Sequence, residues 1–257
     1  MTLSYVVSGF AVGLLVGLTG VGGGSLMTPL LTLLFGIHPS VAVGTDLAFA
    51  AVTKSAGTLA HRSKGTVRWD IVRPLCIGAL PAALVATLLL KHFGTVSPQI
   101  GQIIRYSIAI SVLLTVVALL FKSRLQRWLN AHPERHLQGQ QLRNATILSG
   151  AVLGILVTIS SIGAGAVGAT LLVLLYPRLS PAEIAGTDIA YAVPLTAIAA
   201  FGHWWLGSIN WDLLGALLLG SVPGITIGSL AARAVPEKFL RGLLALTLTS
   251  VAFKLVF

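Results

Sequence analysis

The sequence predicts an all-α polytopic membrane protein with two inverted-topology repeats and broken, glycine-interrupted helices at its centre. Three observations support this prediction. First, 55% of the 257 residues are apolar and 9% are charged, whereas soluble domains carry about 25% charged residues. Second, a block of residues recurs without a gap 142 positions later. Third, the two copies carry different charges in their equivalent loops.

The repeated block runs from residue 39 to residue 81 and returns at residues 181–223. Its loop reads HRSKGTVR at 61–68 and HWWLGSIN at 203–210, so one copy is basic and the other carries no Lys, Arg, Asp or Glu. Lys and Arg accumulate on the cytoplasmic side of membrane proteins. The two loops are therefore expected on opposite sides, which makes the repeat an inverted one, as in many secondary transporters. The matched positions include Gly44-Thr45-Asp46, His61 and Trp69-Asp70, which return as Gly186-Thr187-Asp188, His203 and Trp211-Asp212.

Ten apolar runs follow one another along the chain, five in each half. Most reach the roughly 20 residues that a spanning helix needs, but the second run of each half is shorter. We divide the chain into an N-terminal transmembrane repeat at 1–121, a basic cytoplasmic linker at 122–142 and a C-terminal transmembrane repeat at 143–257. The runs lie at about 3–20, 25–36, 40–60, 70–92, 100–121, 143–161, 165–177, 182–202, 211–233 and 239–257.

The distribution of basic residues favours five spans in each half with both termini outside. This topology places all but four of the 17 Lys and Arg residues on the cytoplasmic side, as the positive-inside rule requires. An eight-span alternative, in which the short segments re-enter, would put the uncharged 203–210 loop on the same side as its basic copy. The first residues lack the basic region of a signal peptide, so we expect the N-terminus to form a retained span.

Several function classes find no support in the sequence. The net charge of +10 comes from short loops without interleaved aromatic residues, which argues against nucleic-acid binding. We find no Cys/His metal spacing, no phosphate-binding loop and no nucleophile motif, and therefore expect no catalytic residues, no metal and no cofactor. Cys76 is the single cysteine, so no internal disulfide can form. Oligomeric state cannot be deduced from these patterns.

Two glycine clusters at matched positions are the first candidate binding elements. They comprise Gly22, Gly23, Gly24 and Ser25 in one half, and Gly163, Ala164 and Gly165 in the other. Glycines let a helix break, and the helix that restarts offers up to four unpaired N–H groups and a partial positive charge to an anion. Such short or interrupted segments at matching positions mark transporter binding sites. The alternative is close helix packing through small residues.

The two Gly-Thr-Asp triplets are the next candidates. Asp46 and Asp188 should lie about 9 Å along helices that begin near Pro39 and Pro181. An intramembrane carboxylate is costly and usually functional, so each could carry a coupled proton or cation. Each could equally hold the amides of a glycine-rich break in place. Thr45 and Thr187 could line the same cavity with their hydroxyl groups.

Lys54 and the two repeated histidines remain open at this stage. Lys54 lies within a predicted span, where it could attract an anion, balance Asp46 or extend its amine to the cytoplasmic interface. His61 and His203 lie at span ends, and we expect them to anchor the interface, with a gating or proton-relay role as the alternative.

The first-half motifs resemble the TauE/SafE sulfite exporter family, also called the 4-toluene sulfonate uptake permeases. They are GLTGVGGGS at 17–25, His38-Pro39 and AVGTD at 42–46. The resemblance implies transport of small sulfur-containing anions, such as sulfite, sulfonates or sulfoacetate, across the bacterial cytoplasmic (inner) membrane. By position, the family's functional elements fall on the two glycine clusters and the two Gly-Thr-Asp triplets. Ala164 and Ala166 stand opposite Gly23 and Ser25 and break the symmetry of the second cluster.

We therefore expect a secondary transporter with a small anionic substrate, a possible coupling proton or cation, and the lipid bilayer as its surroundings. A passive anion channel is one alternative. An intramembrane enzyme acting on a lipid phosphate is another, although it would need Arg, Glu or His near the breaks, which are flanked here by Ala, Val, Leu and Ser.

Overall fold

The computed structural model describes residues 2–19, 24–93, 98–132 and 137–231, together with short helical pieces between residues 242 and 254. All regular structure in these ranges is helical, which confirms the predicted all-α class. The elements are α1 (Thr2–Thr19), α2 (Gly24–Leu34), α3 (Pro39–Ser63), α4 (Trp69–Phe93), α5 (Pro98–Ala131), α6 (Gly139–Ser160), α7 (Ala166–Leu175), α8 (Pro181–Trp205) and α9 (Trp211–Ala231).

Several helices begin at proline or tryptophan residues. Pro39 and Pro181 open α3 and α8, because proline suits the first turn of a helix, where its missing N–H is not needed. Trp69 and Trp211 open α4 and α9. α2 and α7 are short, with 11 and 10 residues, and α7 follows the second glycine cluster directly.

The predicted end of the fifth apolar run differs from the structure. α5 continues to Ala131, well past the apolar run that was expected to end near residue 121. Its last turns carry Lys122, Arg124 and Arg127, which are good helix formers, so the basic linker region is largely helical. Much of the last predicted span, 239–257, lies outside the described residues.

Five described helices are long and apolar enough to cross a membrane: residues 69–93, 101–129, 139–160, 181–205 and 211–228. Their outer surfaces are apolar. Leu88 and Leu89 on α4 and Ile110 on α5 each expose more than half of their surface. Apolar faces of this kind are stable when lipid surrounds them. The predicted multi-pass membrane architecture is thereby confirmed.

The helices of the two halves interlock. α1 packs mainly on α9, and α4 packs mainly on α6, so the first helix of each half meets the fourth helix of the other. The contacts are so close that a Cβ atom at Gly78 would overlap the carbonyl oxygen of Ile147, and one at Gly220 would overlap that of Val6. These two contacts join equivalent positions of the two repeats. The opposite orientation of the halves in the bilayer stays a prediction.

Candidate functional site

The second glycine cluster forms a break between α6 and α7. α6 ends at Ser160, and Ser161 adopts a left-handed conformation with φ 60°. Gly163 and Gly165 follow with φ values of 135° and 142°, which side chains other than glycine rarely tolerate. α7 begins at Ala166. The predicted interruption of the second half is therefore present, and its two glycines are required by the backbone.

The corresponding break of the first half is less fully described. α1 ends at Thr19 and α2 begins at Gly24. Gly22 and Gly23 lie outside the described residues, as does the side chain of Ser25. Their predicted role in anion binding stays a prediction.

The start of α7 leaves backbone donors available. The N–H of Gly168 bonds the carbonyl of Gly163 at 2.9 Å, and that of Ala169 bonds the carbonyl of Gly165 at 2.8 Å. Among the described residues, no hydrogen bond is found for the N–H groups of Ala164, Ala166 and Val167. These unpaired donors at a helix start create a favourable environment for negative charge.

Asp188 of α8 lies against this helix start. It is 4% exposed, and its carboxylate interacts with the backbone N–H of Gly165. A Cβ atom at Gly168 would overlap Asp188 Oδ1 and would lie 2.9 Å from the Tyr191 hydroxyl. Neither Asp188 Oδ1 nor Tyr191 Oη has a hydrogen-bond partner within the described part of the chain, although both atoms are buried. Buried polar atoms are rarely left unpaired, so this corner is suited to a proton or a polar guest.

Asp46 of α3 makes the equivalent contact in the first half. The Thr28 hydroxyl of α2 donates to Asp46 Oδ2 at 2.5 Å, and both side chains are fully buried. Ser161, in the break of the other half, lies near Asp46, but neither Asp46 Oδ1 nor Ser161 Oγ has a hydrogen-bond partner within the described part of the chain. Each carboxylate thus holds the helix that follows the break in its own half, and Asp46 additionally lies near the opposite break.

Lys54 connects the two halves at this level. Its ammonium group donates to the carbonyl oxygen of Ala164 at 2.9 Å, and the side chain is 8% exposed. The amine therefore points into the protein and does not extend to the membrane interface. It lies within electrostatic range of both Asp46 and Asp188, and Asp188 also interacts with the charge of Lys122. The centre of the molecule thus holds a charged cluster of two buried carboxylates, Asp46 and Asp188, and the buried ammonium group of Lys54.

Thr45 and Thr187 each bond a loop of the opposite half. Thr187 Oγ1 accepts a hydrogen bond from the backbone N–H of Arg68, and Thr45 Oγ1 accepts one from that of Asn210, each at 3.1 Å. Both hydroxyl groups therefore secure the loop of the opposite half. These bonds give both threonines a positioning role, and their predicted role in substrate binding stays a prediction.

The histidines differ from their expected interface position in one half. His203 is fully buried and its Nε2 donates to the carbonyl oxygen of Thr158 at 2.9 Å, so anchoring at the membrane interface was a wrong expectation for this residue. A buried imidazole needs a partner, and the end of α6 provides it. His61 is half-buried, and its Nδ1 lies 2.8 Å from the Thr66 hydroxyl.

Sequence reasoning missed four residues that lie around the charged cluster or within its electrostatic range: Thr28, Ser161, Tyr191 and Lys122. A helical periodicity argument would have found Tyr191, which follows Asp188 by three residues and so lies on the same face of α8. It would not have found Lys122, since this residue belongs to a region that was expected to be a linker. Within the described residues, no group of three or more His, Cys, Asp and Glu side chains could hold a metal ion.

Comparison with known proteins gives a family. The model of the family described as "Sulfite exporter TauE/SafE" matches residues 5–255. The chain is 38% identical over 229 residues to the probable membrane transporter protein YjnA of Bacillus subtilis, covering 89% of each chain. It is 25% identical to the probable membrane transporter protein YdhB of the same organism, over 96% of this chain and 97% of the relative.

A probable membrane transporter protein of Xylella fastidiosa is 30% identical, over 88% of this chain and 82% of its own. No solved structure matches. With its apolar helices and its interlocked halves, the chain belongs to the TauE/SafE sulfite exporter family and is a multi-pass transporter protein of the bacterial cytoplasmic membrane.

Proposed function

We propose that the protein is a secondary transporter for a small sulfur-containing anion, of the sulfite, sulfonate or sulfoacetate type. The observation that carries this proposal is the meeting of unpaired N–H groups at the start of α7 with the buried ammonium group of Lys54. Both elements attract negative charge, and together they offer a small oxyanion several donors in one place. The family match supports transport as the general activity.

The anion site comprises the backbone amides of Ala164, Ala166 and Val167 and the ammonium group of Lys54. Lys54 holds the Ala164 carbonyl, so its position is fixed before the anion arrives. Such preorganisation lowers the entropic cost of binding. In the first half, the equivalent donors would come from Gly24 and its neighbours, with Asp46 and Thr28 holding α2 in place.

The charge of the cluster favours coupling to protons. Asp46 and Asp188 already contribute two negative charges next to Lys54, and an entering anion adds another in a region of low dielectric constant. A proton on one of the two carboxylates offsets this cost. We therefore assign Asp46 and Asp188 as the two candidates for the coupled proton, because Oδ1 of each has no hydrogen-bond partner among the described residues.

The test is sulfite flux in proteoliposomes with an imposed pH gradient. A coupled carrier accumulates sulfite against its concentration gradient, whereas a channel only dissipates that gradient. Replacing Lys54 with Met should raise the KM for sulfite at least severalfold, while Lys54→Arg retains part of the affinity. Lys64→Met, which removes a charge from an exposed loop, is the matched control. Absence of sulfite flux, or Lys54→Met transport with unchanged KM, would contradict the proposal.

A further inference from the structure

A cavity lies away from the charged cluster. It has a volume of about 530 Å³ and is bordered by the loop before α4, the start of α6, the end of α7 and the start of α8. Its polar lining includes Arg68, Gln138, Tyr176, Arg178 and Glu183. α7 has 10 residues, so its far end is about 15 Å from the glycine break at 1.5 Å per residue.

Residues from the basic loops line the cavity. Arg68 belongs to the loop at 61–68, Arg178 follows α7, and Gln138 comes from the region at 122–142. The positive-inside rule predicts that all three segments lie on the cytoplasmic side. An anion that reaches the protein from the cytoplasm would meet this cavity first.

Arg68 has two carboxylate partners of unequal strength. Its Nε and Nη2 bond the two oxygens of Asp70 at 3.1 and 3.0 Å, whereas Nη1 lies 3.4 Å from Glu183 Oε1. The hydrogen bonds and charge of Asp70 raise the pKa of the Arg68 guanidinium above its ordinary value. The bidentate contact with Asp70 is the better one, so the contact with Glu183 is the easier one to exchange.

Glu183 would keep its place after such an exchange. Its Oε2 accepts hydrogen bonds from the backbone N–H and the hydroxyl of Ser180, each at 2.9 Å. The Ser180 hydroxyl in turn accepts from the Glu183 backbone, which closes a capping box at the start of α8. If the contact between Arg68 and Glu183 breaks, the Glu183 carboxylate therefore stays in place, and one edge of the Arg68 guanidinium becomes free to bind another group.

The repeat does not duplicate this arrangement. The positions equivalent to Arg68 and Glu183 are Asn210 and Val41, so the other half has neither charge at the corresponding place. The Arg68–Glu183 contact joins the two halves at one face, and its repeat equivalent cannot form an ion pair. The ion pair that borders the cavity therefore has no equivalent in the other half.

We propose that this cavity receives a small anion from the cytoplasm between Arg68 and Arg178, and that the anion replaces Glu183 as the partner of the Arg68 guanidinium. The replacement weakens the contact between the loop of the first half and α8 of the second half. Binding of the anion thereby weakens the contact between the two halves on that face of the molecule. This inference rests on the proposed anion transport and adds a reception site to it.

The test measures the local charge of the cavity directly. Leu137, which lines the cavity and is 41% exposed, is replaced with Cys in a Cys76→Ala background. In inverted membrane vesicles, the rates of modification by an anionic and a cationic methanethiosulfonate reagent are compared. Arg68→Gln and Arg178→Gln should each lower the anionic-to-cationic rate ratio severalfold, and Glu183→Gln should raise it. Gln at position 183 keeps the capping acceptor.

Lys64→Gln is the control, since it removes a positive charge from the same loop without touching the cavity. It should change the ratio much less than Arg68→Gln does. Sulfite should also slow modification by the anionic reagent in the wild-type background, and Arg68→Gln should abolish this protection.

An unchanged ratio in both arginine variants, or an equal effect of Lys64→Gln, would overturn the reception site. A failure of the proposed transport is distinguishable from this result. In that case sulfite flux would be absent in proteoliposomes, while the ratio of anionic to cationic modification rates would still depend on Arg68 and Arg178.

Discussion

The backbone N–H of Arg68 donates a hydrogen bond to the hydroxyl oxygen of Thr187 at 3.1 Å, although 119 residues separate the two. Asn210 donates to Thr45 at the same distance. The donors occupy equivalent positions of the two repeats, and so do the acceptors. Each Gly-Thr-Asp triplet therefore serves two partners: its threonine secures the opposite half, and its aspartate holds the short helix of its own half.

Replacing Thr45 or Thr187 with Val should lower the free energy of unfolding by about 1 kcal/mol each, because a partly buried N–H group loses its acceptor. Ser variants should keep most of the stability. Thermal unfolding in detergent provides the measurement. A Val variant as stable as wild type but with a raised sulfite KM would instead return these residues to the binding site.

Replacing Asp46 with Asn should abolish transport or uncouple it from the pH gradient while the protein stays folded. Asn retains an oxygen for the Thr28 hydroxyl that now bonds Asp46 Oδ2 but cannot carry the charge. Sulfite flux and proton flux are measured together in proteoliposomes. Asp212→Asn, at an exposed carboxylate in the first turn of α9, is the control. Full coupled transport by Asp46→Asn would remove this residue from the mechanism.

Replacing Gly168 with Ala should destabilise the protein by about 1–3 kcal/mol, in the range of overpacked cores. The added Cβ atom would overlap Asp188 Oδ1 and push the carboxylate away from the start of α7. Gly215→Ala is the matched control, since nothing lies within 4 Å of its Cβ position. Equal unfolding temperatures for the two variants would show that Asp188 does not pack here as described.

Cysteines at positions 64 and 206 should react from opposite sides of the membrane. Lys64 and Leu206 occupy equivalent ends of α3 and α8 and share nearly the same backbone angles, with φ −89° and −84° and ψ 0°. Labelling with a membrane-impermeant maleimide, in the Cys76→Ala background, compares intact cells with inverted vesicles. Reaction of both cysteines on the same side would contradict the inverted repeat.

The sequence predicted most of the fold because its signals are local. Proline and tryptophan mark the starts of five helices, and hydropathy marks the spans. The charged cluster was only partly foreseen. Asp46 and Asp188 could be found because carboxylates in an apolar run are conspicuous, whereas Thr28 and Ser161 look like ordinary small polar residues. Their roles depend on which helices meet, and no local pattern encodes that.

Lys54 and His203 show the same limit from another side. Position along a span predicted a place at the membrane interface for His203 and did not decide between interface and interior for Lys54. In the structure, His203 bonds Thr158 and Lys54 bonds Ala164, so both side chains lie inside the protein. A long side chain can take either direction, so the neighbouring helix decides the outcome.

The pairing of α1 with α9 has a consequence for biogenesis. The closest approach of α1 is to Leu217, Gly220 and Ser221, which the ribosome produces some 200 residues after α1 itself. During synthesis, the glycine-lined face of α1 therefore lacks its partner α9 while α2 to α8 are made. Final assembly of the first half is thus postponed until the second half is nearly finished.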